Sequence, residues 1–302
     1  MKSRKLIKLI QSVGLAAAAL LPFYGCGTGR DEPSLSAGSN VHTSAIIGGV
    51  IAGNGFTNVG DVVVRTSDTD PWFSFCSGTL IAPNVFLSAG HCAFFASAIF
   101  GDSVQMGIHF DPVLTSSTVV ITDGTWIVHP QFNGHTFILP KPFNHPDTHD
   151  LSVFVMNRSI KNIRPAKLPE RGSLAGLLTD EDDGEPITIT TVGYGVQANA
   201  AQDPDQLTAG TRKASTSTLV AVYDTWLQES PGSGISCAGD SGGANLLGSS
   251  GLKADKPFVE RVISTTTVAN CNKPPPNFIM QYRLDTDSAL SFLETYVGQD
   301  SD

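Results

Sequence analysis

The sequence predicts an all-β chain that ends in one helix. Three observations carry that expectation: short β-branched runs recur along the chain, Gly, Asn, Asp and Pro punctuate them, and helical periods are scarce. In order, the runs are Asp61–Arg65, Gly78–Ala82, Val85–Ser88, Ser117–Thr122, Ile187–Val192, Thr218–Tyr223, Val259–Val268 and Phe278–Leu284. Many short strands bury their apolar faces by stacking as a sandwich or closing as a barrel. Only Thr286–Val297 has the helical period. Asp285 or Thr286 can cap it, Leu290, Leu293 and Val297 fall on one face, and Gly298 can end it.

Residues 1–25 precede this pattern and differ from it. Lys2, Arg4, Lys5 and Lys8 form a positive head before the apolar run Leu9–Phe23, the pattern of a bacterial-type export signal, with a buried amphipathic helix as the alternative. Residues 26–45 are polar, rich in Gly and Ser and without period, so they form a tether or propeptide. The folded domain then spans 46–302, beginning with Ile46-Ile47-Gly48-Gly49.

Composition narrows the class. The 302 residues hold 19 Lys and Arg against 28 Asp and Glu, and loss of the four leader cations moves the net charge from -9 to -13. Such a balance excludes the basic footprint of a nucleic-acid binder. A hydrophobic share of 41% with 30 Gly and 18 Pro excludes collagen-like and largely disordered chains. Of the five cysteines, four can pair in an exported chain, which leaves one for another role. Cys26 directly follows the apolar stretch and Gly25, and this junction resembles a bacterial lipoprotein cleavage site. Membrane attachment through a lipid on Cys26 is the expectation, with simple secretion and a free or discarded cysteine as the alternative. The chain is accordingly expected in the bacterial cell envelope or outside the cell.

Three segments carry chemistry: CSGTLIAPNVFLSAGHC from Cys76 to Cys92, HDLSV from His149 to Val153, and SCAGDSGGANL from Ser236 to Leu246. Taken singly, each has an ordinary explanation. His91 and Cys92 could be a buried structural pair or a metal fragment, and Asp150 could cap a loop, with Asp147 as its rival. His145 and His149 fit exposed loop positions. No set of Cys, His and carboxylates has metal-site spacing, so no metal is expected. The run Asp180-Glu181-Asp182-Asp183 fits a solvated loop, with a calcium role as the alternative.

Together and in this order, the three segments resemble the trypsin- and chymotrypsin-like serine endopeptidases, and the similarity extends from Ile46 to about Val297. The resemblance implies two six-stranded antiparallel β-barrels with a catalytic cleft between them and a terminal helix. It assigns His91 as general base, Asp150 as the carboxylate orienting it and Ser241 as nucleophile. It places the oxyanion hole at the backbone N–H groups of Gly239 and Ser241. Ser264 aligns with the serine that supports the catalytic aspartate, in a strand lacking the usual Trp-Gly. It also implies disulfides Cys76–Cys92 and Cys237–Cys271.

Maturation by cleavage before Ile46 is implied too, the new ammonium pairing with Asp240. Ala45 precedes that bond, so a separate protease preferring small residues is the expected activator. In the specificity pocket, Ile235 stands on the floor and Thr266 on one wall, while Asn277 or a neighbour could line the other. An apolar floor cannot offset the desolvation of Lys or Arg, which predicts cleavage after small or medium apolar residues. Protein or peptide substrates and no cofactor follow from the resemblance. A non-catalytic binding relative is the alternative class. An α/β-hydrolase is excluded because its nucleophile sits in Gly-x-Ser-x-Gly and precedes its histidine, whereas His91 here precedes Asp150 and Ser241.

Overall fold

The computed structural model describes Ile46 and residues 49–135, 146–178, 186–196, 209–247, 262–269 and 279–298. Residues 1–45 with Cys26 and Ala45, the acidic run at 180–183, Cys271 and Asn277 lie outside the described residues.

Alternating and β-branched runs form the strands of two antiparallel sheets. The first takes β2 (Val59–Arg65), β3 (Phe73–Ala82), β4 (Val85–Ser88), β5 (Gln105–His109), β6 (Gly124–Val128) and β7 (Ser152–Met156), in the order β5-β2-β3-β4-β7-β6. The second takes β1 (Val50–Ile51), β8 (Thr188–Gly193), β9 (Lys213–Val222), β10 (Trp226–Pro231), β11 (Ala244–Leu247), β12 (Val262–Ala269) and β13 (Ile279–Arg283), in the order β1-β9-β10-β13-β12-β11-β8. Because β8 also pairs with β9, six of these strands close on themselves, and β1 adds at Ala214 and Lys213 of β9.

The expectation of two six-stranded barrels therefore needs correction: the second sheet is a closed barrel and the first only a half-barrel. Its edge strand β5 meets the segment before β6 through one isolated bridge, Ile108 to Ile121. The predicted strand Ser117–Thr122 does not form. Hydroxyls at Thr115, Ser117 and Thr118 hydrogen-bond one another and the local backbone, an alternative that competes with a ladder. Val119, next in line, is 81% exposed, so the run lacks the buried face that would fix its register.

A single apolar cluster spans both sheets, joining Val59, Ile81, Leu87 and Val153 of the first, with Leu151 beside them, to Val192, Ala214, Trp226, Ala244 and Tyr282 of the second. Two helices complete the described fold. The first, α1 (Gly90–Phe100), was not predicted, and it leaves β4 directly through Ala89. The predicted C-terminal helix is α2 (Asp287–Val297), capped by Thr286, whose Oγ1 accepts the Ala289 N–H. Asp285 is engaged elsewhere, accepting from Nε and one terminal nitrogen of Arg283 and from the Leu174 N–H. Leu290 and Leu293 are buried as expected, and Ala289 and Phe292 widen that face.

Candidate active site

His91 is set by two anchors close to it in sequence. The helix α1 begins at Gly90, so His91 lies in its first turn, and Cys92 is joined by a disulfide to Cys76 of β3. Gly90 permits a close approach: a Cβ there would sit 2.9 Å from the Leu151 nitrogen and 3.1 Å from Asp150 Oδ1.

Asp150 enters from the start of β7 and is fully buried. Its Oδ2 lies 2.8 Å from His91 Nδ1, and its Oδ1 accepts the His91 backbone N–H at 2.7 Å. A local backbone constraint aims it there: His149 takes φ +53°, and its carbonyl accepts the Leu151 N–H. Asp147, the rival carboxylate, instead accepts the Tyr282 hydroxyl and faces His149 Nδ1 at 3.2 Å. His149 also meets Ser288 Oγ at 2.8 Å and stacks on His129, so it is an ordered, partly buried residue rather than an exposed loop histidine. His145 lies outside the described residues.

Ser241 sits between Asp240 and the Gly242-Gly243 pair. Its carbonyl accepts the Ser77 N–H at 2.8 Å and lies 3.8 Å from Cys92 Sγ, so its backbone is packed on the disulfide beside His91. Among the described residues the Ser241 hydroxyl makes no hydrogen bond, with His91 or any other group. The turn around it depends on positive φ at Gly239 (+93°) and Gly242 (+80°), which glycine adopts without a Cβ penalty. Ser77 Oγ ties the turn down by donating to the Gly239 carbonyl while accepting the Tyr194 N–H.

Asp240 is wholly buried. Its carboxyl accepts the Gly195 and Cys237 N–H groups, both at 2.8 Å, and forms no ion pair among the described residues. Burial outweighs these bonds and pushes its pKa up to about 7. Ile46 is likewise buried, with φ +45° and its carbonyl bonded to the Gly49 N–H. In the uncut chain its nitrogen is an amide and carries no charge for Asp240.

The remaining predicted positions fall in different places. Ile235 is half-buried upstream of Cys237. Thr266 exchanges backbone hydrogen bonds with Gly242 and Gly243, adjoining the Ser241 turn. Ser264 lies opposite Asn245 and Arg283, and its buried hydroxyl has no hydrogen-bond partner. Cys237 is disulfide-bonded, and its expected partner Cys271 is outside the described residues. Ligand atoms of Cys76, His91 and Cys92 lie within 4.8 Å of one another, but sulfurs joined in a disulfide offer no thiolate to a metal.

Sequence reasoning missed Ser77 and the buried pair Asp61–His109. His109 Nε2 is 3.2 Å from Asp61 Oδ2, and Ser74 donates to Asp61 Oδ1. Burial pushes Asp61 up to about 6. The one available signal was a lone carboxylate inside the β-branched run Val59–Arg65, where an exposed strand face explains an aspartate equally well. The Trypsin family model matches residues 53–283, a stretch that contains His91, Asp150 and Ser241.

Proposed function

The chain belongs to the trypsin family, and from that premise we propose that it is a serine endopeptidase using Ser241, His91 and Asp150. The two bonds from Asp150 to His91 carry the reading. With Nδ1 committed to Asp150, the free Nε2 takes the Ser241 proton as Oγ attacks the peptide carbonyl, then returns it to the leaving amine. The missing bond from Ser241 to His91 is compatible with this role, since such contacts tighten in the substrate complex. The Gly239 and Ser241 N–H groups receive the oxyanion, and Gly239 leaves space there.

Activation by a separate protease cutting after Ala45 fits the buried, cation-free carboxyl of Asp240. A new ammonium on Ile46 would give it a partner and hold the Ser241 turn. The leader and Cys26 support export, with a lipid anchor from which that cut releases the domain. Ile235 and Thr266 favour small or medium apolar residues on the acyl side over Lys or Arg.

The test compares protein beginning at Ile46 with its Ser241→Ala form on Ala-, Val- and Arg-ending chromogenic peptides. Turnover of the Ala or Val peptide, lost in the variant, is expected. Equal turnover by both forms, or none from correctly folded and disulfide-bonded protein, overturns the assignment.

A further inference from the structure

Three consecutive backbone N–H groups after β8 hold the turn that carries Ser241. Tyr194 donates to Ser77 Oγ at 2.9 Å, Gly195 to Asp240 Oδ1 at 2.8 Å and Val196 to the Ala238 carbonyl at 2.8 Å. Because a trans peptide sets its C=O and N–H in opposite directions, the last of these bonds turns the Gly239 N–H away from residues 194–196. The next peptide, Gly239–Asp240, is held at its carbonyl by Ser77 Oγ at 2.9 Å and at its N–H by the Cys237 carbonyl at 3.0 Å. It joins the two peptides whose N–H groups, those of Gly239 and Ser241, donate to no protein group among the described residues.

Gly239 is the loose joint of this turn. Its φ is +93°, and glycine passes between positive and negative φ at little cost. No side chain can stiffen it, since a Cβ there would stand 2.8 Å from Gly195 Cα. A bond from outside the turn must do so, and Ser77 supplies it from an immobile base. Ser77 is fully buried in β3, its N–H donates to the Ser241 carbonyl at 2.8 Å, and its own carbonyl accepts the Ser88 hydroxyl at 2.7 Å. One residue thus holds the turn on both sides of Asp240.

We propose that Ser77 is a positioning residue for catalysis, its hydroxyl fixing the peptide between the Gly239 and Ser241 N–H groups so that both converge on one oxyanion. The inference rests on the endopeptidase reading and deepens it. Donors stabilise a developing negative charge most when they need no rearrangement as it forms. Without the Ser77 hydroxyl, the Gly239 carbonyl and the buried Tyr194 N–H lose their shared partner, and the joint at Gly239 is free to turn. Ser77 bonds neither His91 nor Asp150, so its loss falls on the step in which the oxyanion appears and leaves the proton transfer to His91 as it was.

The experiment compares protein beginning at Ile46 with its Ser77→Ala form on a chromogenic peptide, with Ser241→Ala alongside. It adds a peptide trifluoromethyl ketone, whose adduct with Ser241 carries a negatively charged oxygen. Ser77→Ala should lower kcat about 10- to 100-fold, less than the loss of an oxyanion donor itself, because Ser77 holds the donors and does not replace one. KM should stay within about threefold, the ketone should bind more weakly by a factor similar to the fall in kcat, and the acid limb of the kcat/KM profile should not move. A merely structural role would reduce the folded fraction without that split. Should Ser77→Ala fail to fold, Ser77→Gly removes the same hydroxyl while opening room for a water between the Gly239 carbonyl and the Tyr194 N–H, and it should show a smaller loss in the same pattern. A kcat within about twofold of wild type in the folded variant, or a rise in KM alone, overturns the role of Ser77 and leaves the endopeptidase intact. Absence of Ser241-dependent cleavage in the wild type overturns both.

Discussion

Asp150 holds His91 at two points, the ring nitrogen Nδ1 through Oδ2 at 2.8 Å and the backbone N–H through Oδ1 at 2.7 Å. One buried carboxylate thus sets both the ring orientation and the first turn of α1. A hydrogen held on Nδ1 leaves the Nε2 lone pair available for a proton.

Asp150→Asn removes one of these two acceptors, because an amide presents one oxygen and one NH2. Either the His91 N–H or its ring then faces a donor. The expected result is a fall in kcat of about 10²- to 10⁴-fold, the usual contribution of a positioned general base. Near-uv circular dichroism should show the fold retained. Wild-type kcat in this variant would remove Asp150 from the mechanism.

Gly242 tests the backbone beside Ser241. It has φ +80°, and a Cβ there would lie 2.3 Å from Ser88 Oγ, 2.4 Å from the Ser77 carbonyl oxygen and 2.6 Å from the Ala89 nitrogen. Two of these are backbone atoms that cannot swing away. Gly242→Ala should lower stability by more than about 2 kcal/mol and displace Ser241. At Gly176 a Cβ meets nothing within 4 Å, so Gly176→Ala should stay within about 0.5 kcal/mol of wild type. Urea denaturation of the two variants measures the contrast, and equal effects would contradict it.

The legible parts of the fold were those fixed by local chemistry. Val85–Ser88 has the predicted bounds because three apolar residues and a serine bonded to the Ser77 carbonyl are all buried, and Thr286 caps α2 with the predicted hydroxyl. The helix α1 was hidden because CAFFASAIF is apolar on nearly every side and so lacks the periodic contrast that marks an amphipathic helix. That the first sheet stays open was also hidden. It depends on how Ile121 is delivered to Ile108, which local hydroxyl bonding at Thr115–Thr118 decides. Within the site, the His91–Asp150 pair was legible from its motifs. Ser264 was assigned by resemblance alone; it lies in β12 opposite Asn245, and its buried hydroxyl has no hydrogen-bond partner.

The Cys76–Cys92 bridge spans 16 residues and joins β3 to the turn that carries His91. Its loop contains β4, so breaking it frees the unfolded chain and loosens the histidine anchor together. The double replacement Cys76→Ser with Cys92→Ser should lower unfolding free energy by about 3 kcal/mol, as loop-closure entropy gives for a loop of this length. Urea denaturation of the oxidised wild type and the variant measures the difference. A loss under about 1 kcal/mol would mean that the bridge adds little to the constraint imposed by the sheet.

Glu229 sets an expected pH dependence. It is fully buried in β10, Ser217 donates to its Oε2 at 2.6 Å, and its Oε1 has no hydrogen-bond partner. Burial pushes its pKa from 4.5 up to about 7. Between those values the folded chain binds more protons than the unfolded chain, so stability falls as pH rises from about 4.5 to about 7 and then levels. Asp61 and Asp240, raised to about 6 and about 7, act in the same direction. Glu229→Gln cannot ionise, and its amide oxygen can still accept the Ser217 hydroxyl. Relative to wild type, the variant should gain roughly 3 kcal/mol at pH 8 and almost nothing at pH 4. Urea unfolding of the uncut chain at both pH values measures the gain. The same difference at each would show that burial leaves the Glu229 pKa where the unfolded chain has it.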